Sequence, residues 1–385
     1  MRSVAVLGIG QTKVDEHYEK SLRELAGDAS LSAMTDAGIS RVQSIFVGNM
    51  MSGSASHQQH LGAYIADWIG QRGVEAVKIE AACSSGSAAF RSALIAVASG
   101  EVETALAVGV EKMTDSPTDE ITAQLATAAD ADWEVNQGVS FVALNALLMR
   151  RYMHEYKWEK KDFAAFSINS HANAVHNPFA RFHEPISEAD YLKAGMVCDP
   201  INLMDASPMG DGAAAIVLVP AEKLGTLPGM RIIRVIASSA ATDTIAAHDR
   251  KDPLWLAAAA SSAKAAYQQA GITQKDIDFF ELHDAFSIMA ALSLEACGFA
   301  ERGQAPRLAL EGAIRPGGSL PIATRGGLKA RGHPVGATGM YQLVEVVQQL
   351  RGEAVGTQVE NASIGMAQNI GGSGSNIITH ILSNR

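Results

Sequence analysis

Three residues of this chain carry the chemistry of a nucleophilic site, and each falls where a secondary-structure element should begin or end. Cys83 lies in the stretch Val77 to Gly100, VKIEAACSSGSAAFRSALIAVASG. That stretch reads as an extended apolar run, a turn at Ala82-Cys83-Ser84-Ser85-Gly86, and a nearly all-apolar helix closed by Gly100. A helix apolar on every face is expected to be buried, with its N-terminus pointing out of the core. Unpaired N–H groups and the helix dipole favour negative charge there, which predicts a thiolate at neutral pH, and the thiolate is the nucleophile. His333 opens a second helix of this kind, which stops at Gly352. The dipole disfavours its protonated form, and a neutral imidazole beside a thiol can take the proton. His283, in Glu281-Leu-His-Asp-Ala-Phe286, follows directly on a buried strand and can reach a ligand site at the sheet edge. Asn369-Ile-Gly-Gly-Ser-Gly374 is a glycine-rich turn whose backbone N–H groups could form an oxyanion hole. Each feature alone has a plainer reading: a free cysteine as a small buried hydrophobe, His283 satisfied by Asp284, a glycine turn that is only a turn.

What joins these residues is an internal duplication. Strand patterns alternate with amphipathic helices, the signature of a layered α/β fold. Ala33-Met-Thr-Asp-Ala-Gly38-Ile39 ends the first long helix, and Ala266-Tyr-Gln-Gln-Ala-Gly271-Ile272 ends one in the second half; each is followed by a strand, at Ile45 and at Phe279. Cys83-Ser-Ser-Gly86 and His333-Pro-Val-Gly336 head corresponding helices. Gly210-Asp-Gly-Ala-Ala-Ala-Ile-Val-Leu-Val and Gly372-Ser-Gly-Ser-Asn-Ile-Ile-Thr-His-Ile-Leu close the two halves alike. The predicted organisation is an N-terminal half over 1–225, with an insertion at about 114–200, and a C-terminal half over 226–385. A pseudo-twofold between the halves would set the two helices side by side, so that Cys83 and His333 converge on one pocket. By the repeat, His283 takes the place of Asn49 or Met50. The insertion is more polar than the rest and is where substrate contacts are expected.

Composition narrows the function classes. At 385 residues, 47% hydrophobic and 19% charged, the chain is a compact globular protein too long for one ordinary core. A formal charge of −10 argues against nucleic acid and anionic membranes as partners. No apolar stretch is long enough to span a bilayer, and MRSVAVLGIG enters a strand pattern without a cleavage-site signature. Three cysteines, at 83, 198 and 297, show no CxxC spacing, which predicts a reduced, cytoplasmic protein without a zinc site. His171, His176 and His183 do not share a helix face, and Pro178 and Pro185 interrupt them, so they are read as surface or capping residues rather than metal ligands. Val4-Ala-Val-Leu-Gly8-Ile-Gly10 suggests a dinucleotide fingerprint, but Lys13 stands where the third glycine belongs.

EAACSSGSA around Cys83, HDAF around His283, GHPVGATG around His333 and NIGGSG near the C-terminus occur in the order and spacing of the thiolase superfamily, which the whole chain resembles. GGLKARGHPVGATG is the most specific piece, while YMHEY, SHANAVHNP and MVCDPINLMDASPMGDGAAAIVL look most like the archaeal-type acetyl-CoA acetyltransferases, related to the sterol-carrier-protein thiolases. The resemblance implies a duplicated α/β core layered α-β-α-β-α with an inserted loop domain. It implies acetoacetyl-CoA formation from two acetyl-CoA by ping-pong kinetics, with coenzyme A thioesters as substrates and no covalently bound cofactor. Cys83 would carry the acyl group. His333 would deprotonate it and then help hold the thioester oxygen of the second acyl-CoA. His283 would share that oxyanion hole, and the backbone N–H groups of Cys83 and Gly371 would form a second. It further implies a homodimer or dimer of dimers, and a complex with hydroxymethylglutaryl-CoA synthase and a small OB-fold protein carrying a zinc ribbon.

One departure from the family pattern matters. Most thiolases use a second cysteine to move the α-proton, and the two positions where it occurs are here Asn369 and Ala285. Cys297, about three helical turns beyond His283 in an apolar context, reads as core. Either His283 doubles as the base, or ordinary Claisen condensation is inefficient. Decarboxylating ketosynthases of the same superfamily use the set Cys83, His283, His333 without such a base, and are the alternative; a catalytically quiet scaffold subunit is a third.

Overall fold

The computed structural model describes residues 2–224 and 232–385, and the predicted junction of the halves at 225–226 lies outside the described residues. Eleven strands are described: β1 Val4–Gln11, β2 Ser44–Gly48, β3 Glu75–Ile79, β4 Ala105–Glu111, β5 Met196–Cys198, β6 Ile201–Asn202, β7 Gly212–Pro220, β8 Ile233–Thr242, β9 Phe279–Glu281, β10 Ile364–Gly371 and β11 Asn376–Ser383. Nine form one sheet in the order β3-β2-β4-β7-β1-β8-β11-β10-β9, while β5 and β6 form a small ribbon in the insertion. Read from its two ends, the sheet repeats itself. β2 and β4 are parallel, β4 and β7 antiparallel, β7 and β1 antiparallel. β9 and β10 are parallel, β10 and β11 antiparallel, β11 and β8 antiparallel. The counterpart of β3 in the second half is reduced to a single parallel bridge, Phe280 to Ile322. Among the described residues, β1 and β8 join the halves through the pairs Ala5–Arg234 and Val6–Ile233.

Side-chain alternation along the strands builds five layers. Ile45 and Val47 of β2 face the helices Leu22–Asp36 and Leu61–Trp68, whereas Phe46 between them faces the interior. That interior layer holds Phe90 and Val97 of the helix Ser85–Ser99 against Met340, Leu343, Val344 and Val347 of the helix Thr338–Arg351. On the far side, Met366 and Ile370 of β10 face Ala259 and Ala263 of the helix Ala257–Ala270. The order is thus helix, first half of the sheet, helix pair, second half of the sheet, helix. The insertion packs on that far layer: Met149, Tyr152, Phe163 and Phe166 belong to the same apolar cluster as Leu254, Phe280, Ile288 and Leu292.

Two expectations are corrected. The helix after Cys83 is not covered on every face: Ile95 is 45% exposed, and Val77 on the neighbouring edge strand β3 is 38% exposed. Apolar composition reported the need for cover, and this chain alone does not supply all of it. His333 also does not sit at the head of its helix, because a single 3-10 turn, Val335–Ala337, separates the Gly332–Pro334 segment from Thr338–Arg351.

The two central helices meet backbone to backbone, and glycine is what permits it. A Cβ on Gly86 would lie 2.9 Å from the Gly336 carbonyl oxygen and 3.0 Å from the Met340 nitrogen. A Cβ on Gly339 would lie 2.7 Å from the Ser87 nitrogen. Gly86→Ala is therefore expected to lower stability by about 1–3 kcal/mol through overpacking, while Gly317→Ala, with no heavy atom within 4 Å of its Cβ position, should leave it nearly unchanged. Urea midpoints of the two variants check this; equal midpoints would show that the helix contact can relax.

Candidate active site

Cys83 sits in a tight turn between β3 and its helix. Ala82 has φ 51, a left-handed conformation unusual for a residue with a side chain. The turn is held by the Ser84 hydroxyl donating to the Ala81 carbonyl at 2.6 Å, and by the Ser85 hydroxyl donating to the Ala82 carbonyl at 2.6 Å. Cys83 itself is partly exposed and packs against the cluster of Met51, Met113, Ile121 and Val335, with Met50, Leu125 and Met209 beside it. Val335, a member of that cluster, is two residues beyond His333.

The electrostatics differ from the expected thiolate. Burial, and then the Glu111 carboxylate, push the Cys83 thiol up to about 12, against the opposing effect of the Gly372 and Cys83 backbone N–H groups. Desolvation outweighs the helix N-terminus, so the resting group is a thiol and needs a base. The two N–H groups that reach the sulfur are those of Cys83 itself and of Gly372, one residue beyond the expected Gly371. Gly371 lies alongside: a Cβ there would be 2.6 Å from the Ala81 carbonyl oxygen and 2.7 Å from Ser84 Oγ.

His333 has the properties of that base. Burial lowers its pKa well below the usual imidazole value, with His283 and Arg331 adding to the shift. Its Nδ1 lies 2.6 Å from Thr338 Oγ1, and that hydroxyl donates to the Pro334 carbonyl at 3.2 Å. A hydroxyl hydrogen so used would make Nδ1 the protonated nitrogen and leave Nε2 its lone pair. The His283 ring stands edge-on to His333, with centroids 5.0 Å apart. His283 is neutral as well, its pKa lowered to about 3 by burial and by Arg331.

Asp284 does not satisfy His283. Its carboxylate accepts from the Leu328 N–H at 2.7 Å and from Ser170 Oγ at 3.0 Å. The partner of His283 is Asn369, whose Nδ2 lies 2.9 Å from His283 Nδ1. Lys329 Nζ donates to the carbonyls of Asp205 and Asp284 at 2.8 and 3.0 Å, and Arg331 pairs with Glu345 at 2.9 Å inside the protein. The GGLKARGHP segment is thus a π-helical turn, Gly327–Arg331, clamped to the HDAF segment, which fixes His333 relative to His283.

This duplicated architecture is matched by family models over nearly all of the chain: the thiolase N-terminal domain over residues 4–222 and the thiolase C-terminal domain-like family over residues 239–384. The chain belongs to the thiolase family. It is 44% identical over 385 residues to an acetyl-CoA acetyltransferase of Methanothermobacter thermautotrophicus, covering 100% of both chains. It is 30% identical over 397 residues to human sterol carrier protein 2, covering 98% of this chain and 72% of that protein. Among solved structures, the one described as "Ltp2-ChsH2(DUF35) aldolase" superposes with a TM-score of 0.87 at 25% identity, covering 99% of this chain and 97% of the other.

Two residues of this thiolase site were missed by sequence reasoning. Glu111 ends β4, and its carboxylate accepts from Asn49 Nδ2 at 2.8 Å, from the Met50 and Met51 N–H groups at 2.9 and 3.1 Å, and from the Gly336 N–H at 3.0 Å. Burial raises it to about 7. It ties the exit of β2 to the His333 loop, and the available signal was a carboxylate closing a strand of apolar and glycine residues, ALAVGVE. Arg331 is the other, an arginine without solvent exposure that sequence alone would place at the surface.

Alkylation of Cys83 by iodoacetamide should report the raised thiol. Because the thiolate forms only as pH approaches about 12, the rate is expected to keep climbing, about tenfold per pH unit, through pH 7 to 9. A plateau in that range would mean a thiolate already formed at neutral pH.

Proposed function

We propose that this thiolase is an acetyl-CoA C-acetyltransferase that forms or cleaves acetoacetyl-CoA through a Cys83 acyl-enzyme. Full-length identity of 44% to a protein of that name supports the reading most directly. In the first half-reaction His333 Nε2 takes the thiol proton as Cys83 Sγ attacks the acetyl carbonyl. The tetrahedral oxyanion is held by the backbone N–H groups of Cys83 and of the Gly371-Gly372 turn, and CoA departs with the proton from His333. In the second, a further acetyl-CoA loses an α-proton, and its enolate takes the acetyl group from Cys83. Coenzyme A thioesters enter as substrates, and neither half-reaction calls for a bound cofactor.

The exposed edge of β3 and the Ile95 face of its helix favour a second copy of the chain as the missing cover, a homodimer that could pair again as a dimer of dimers. On the family resemblance, hydroxymethylglutaryl-CoA synthase and a zinc-ribbon OB-fold protein are proposed as further partners in the cytoplasm. No helix among the described residues is long and apolar enough to cross a membrane.

A second reading, decarboxylative condensation, is favoured by Asn369 and Ala285 standing where a second cysteine would move the α-proton. Radiolabelled acetyl-CoA and malonyl-CoA separate the two. The thiolase reading expects acetyl label on Cys83 and acetoacetyl-CoA from acetyl-CoA alone, with Cys83→Ala lowering turnover by about 10⁴-fold or more. A β-keto product from malonyl-CoA only would refute it. Because the depressed His333 keeps its base form as pH falls through 6.5, kcat/KM should show no acid limb between pH 6 and 7. A limb centred near 6.5 would mean a solvated imidazole.

A further inference from the structure

The α-proton base is decided by which nitrogen of each site histidine carries hydrogen. For His283 the deciding neighbour is Asn369. Strands β9 and β10 run parallel with Glu281 opposite Ala367, so two residues further on the same register sets His283 beside Asn369. Their side chains meet at 2.9 Å, Asn369 Nδ2 to His283 Nδ1, and both residues are buried.

Which end of the amide faces the ring follows from what surrounds the other end. Asn369 is 1% exposed and its Oδ1 has no hydrogen-bond partner. That oxygen sits against Gly339, in the first turn of the helix Thr338–Arg351, and the Ser87 hydroxyl and backbone nitrogen of the other helix's first turn border the same space. Gly339 and Ser87 each lie in the first turn of their helix, so the positive ends of two helix dipoles border that space, which favours a carbonyl oxygen there over an NH2 group. The amide nitrogen therefore faces His283, and its hydrogen is donated to Nδ1. An imidazole that accepts at Nδ1 and stays neutral carries its own hydrogen on Nε2. It then has no free lone pair with which to act as a base.

We propose that Asn369 is a positioning residue that holds His283 as the Nε2–H tautomer, so that His283 donates to the enolate oxygen and His333 is the single base of both half-reactions. This rests on the thiolase reading above. The second half-reaction then balances without a second cysteine. His333 Nε2 removes the α-proton of acetyl-CoA and becomes an imidazolium. The enolate oxygen accepts from His283 Nε2–H and from the new His333 Nε2–H. The enolate carbon attacks the acetyl group, the carbon–carbon bond forms, the bond to Cys83 Sγ breaks, and the departing thiolate recovers the proton from His333. His333 holds the oxygen only after it has taken the proton.

Full-length protein labelled with ¹⁵N-histidine tests this by long-range ¹H–¹⁵N correlation, with the His283 signals assigned from His283→Ala. Wild type is expected to show a protonated Nε2 and a bare Nδ1 at His283. Asn369→Asp presents only acceptors, and should move the hydrogen to Nδ1 and slow acetoacetyl-CoA formation by about 10²-fold, the scale of one lost oxyanion donor. Exchange of labelled CoA into acetyl-CoA needs only Cys83, His333 and the backbone hole; it should stay near wild type, which also shows that the variant folds. Hydrogen on Nδ1 in wild type, or condensation by Asn369→Asp at the wild-type rate, overturns the proposal. Failure of the wild type to exchange CoA at all would instead overturn the thiolase reading, with the nitrogen shifts still reporting the tautomer.

Discussion

Everything at the site depends on two helices touching through their backbones. Gly86 and Gly339 remove the side chains that would hold them apart, and the mirrored strand order of the sheet delivers each helix to the same central layer. Without that contact, Cys83 at the end of one half and His333 at the corresponding end of the other would be separate features of separate domains. With it, the Cys83 turn of the first half lies against the Val335 segment of the second, which also carries the paired rings of His283 and His333. Among the described residues, β1 and β8 are joined through two residue pairs. Beside this join, the halves are held by the apolar face shared by the helices Ser85–Ser99 and Thr338–Arg351 and by the insertion packed on Phe280, Ile288 and Leu292.

Desolvation sets the chemistry. It raises the Cys83 thiol and lowers both histidines, so each of the three groups favours its uncharged form. A low-dielectric site strengthens every donor aimed at a developing oxyanion. The charges that surround it are held one layer back. Glu111 is tied by four N–H donors, Arg331 by Glu345, and Lys329 by two carbonyls. These buried groups do not touch substrate in this account; they fix the loops that do.

Much of this was legible in the sequence because duplication is a pattern in residues. The paired helix ends at Gly38 and Gly271, and at Gly100 and Gly352, all adopt positive φ as helix-closing glycines do. They correctly announced two copies of one unit, and the motifs around Cys83, His283 and His333 announced the family. What could not be read was the balance of opposing terms at a point. The helix N-terminus at Cys83 suggested a thiolate, but only coordinates show how far desolvation and Glu111 outweigh it. Asp284 was the obvious neighbour of His283 along the chain, whereas the true partner, Asn369, is 86 positions away and adjacent only through the register of two parallel strands. The open face of the Cys83 helix was illegible for a similar reason: composition states that a surface needs covering, not which chain covers it.

The central claim, that His333 activates Cys83 inside one shared pocket, is most directly tested by rapid mixing of the protein with acetyl-CoA while following free CoA in the first turnover. The account predicts a burst approaching one CoA per chain that disappears in His333→Ala. A burst of the same rate and size in that variant would contradict it, since Cys83 would then be acylated without the imidazole.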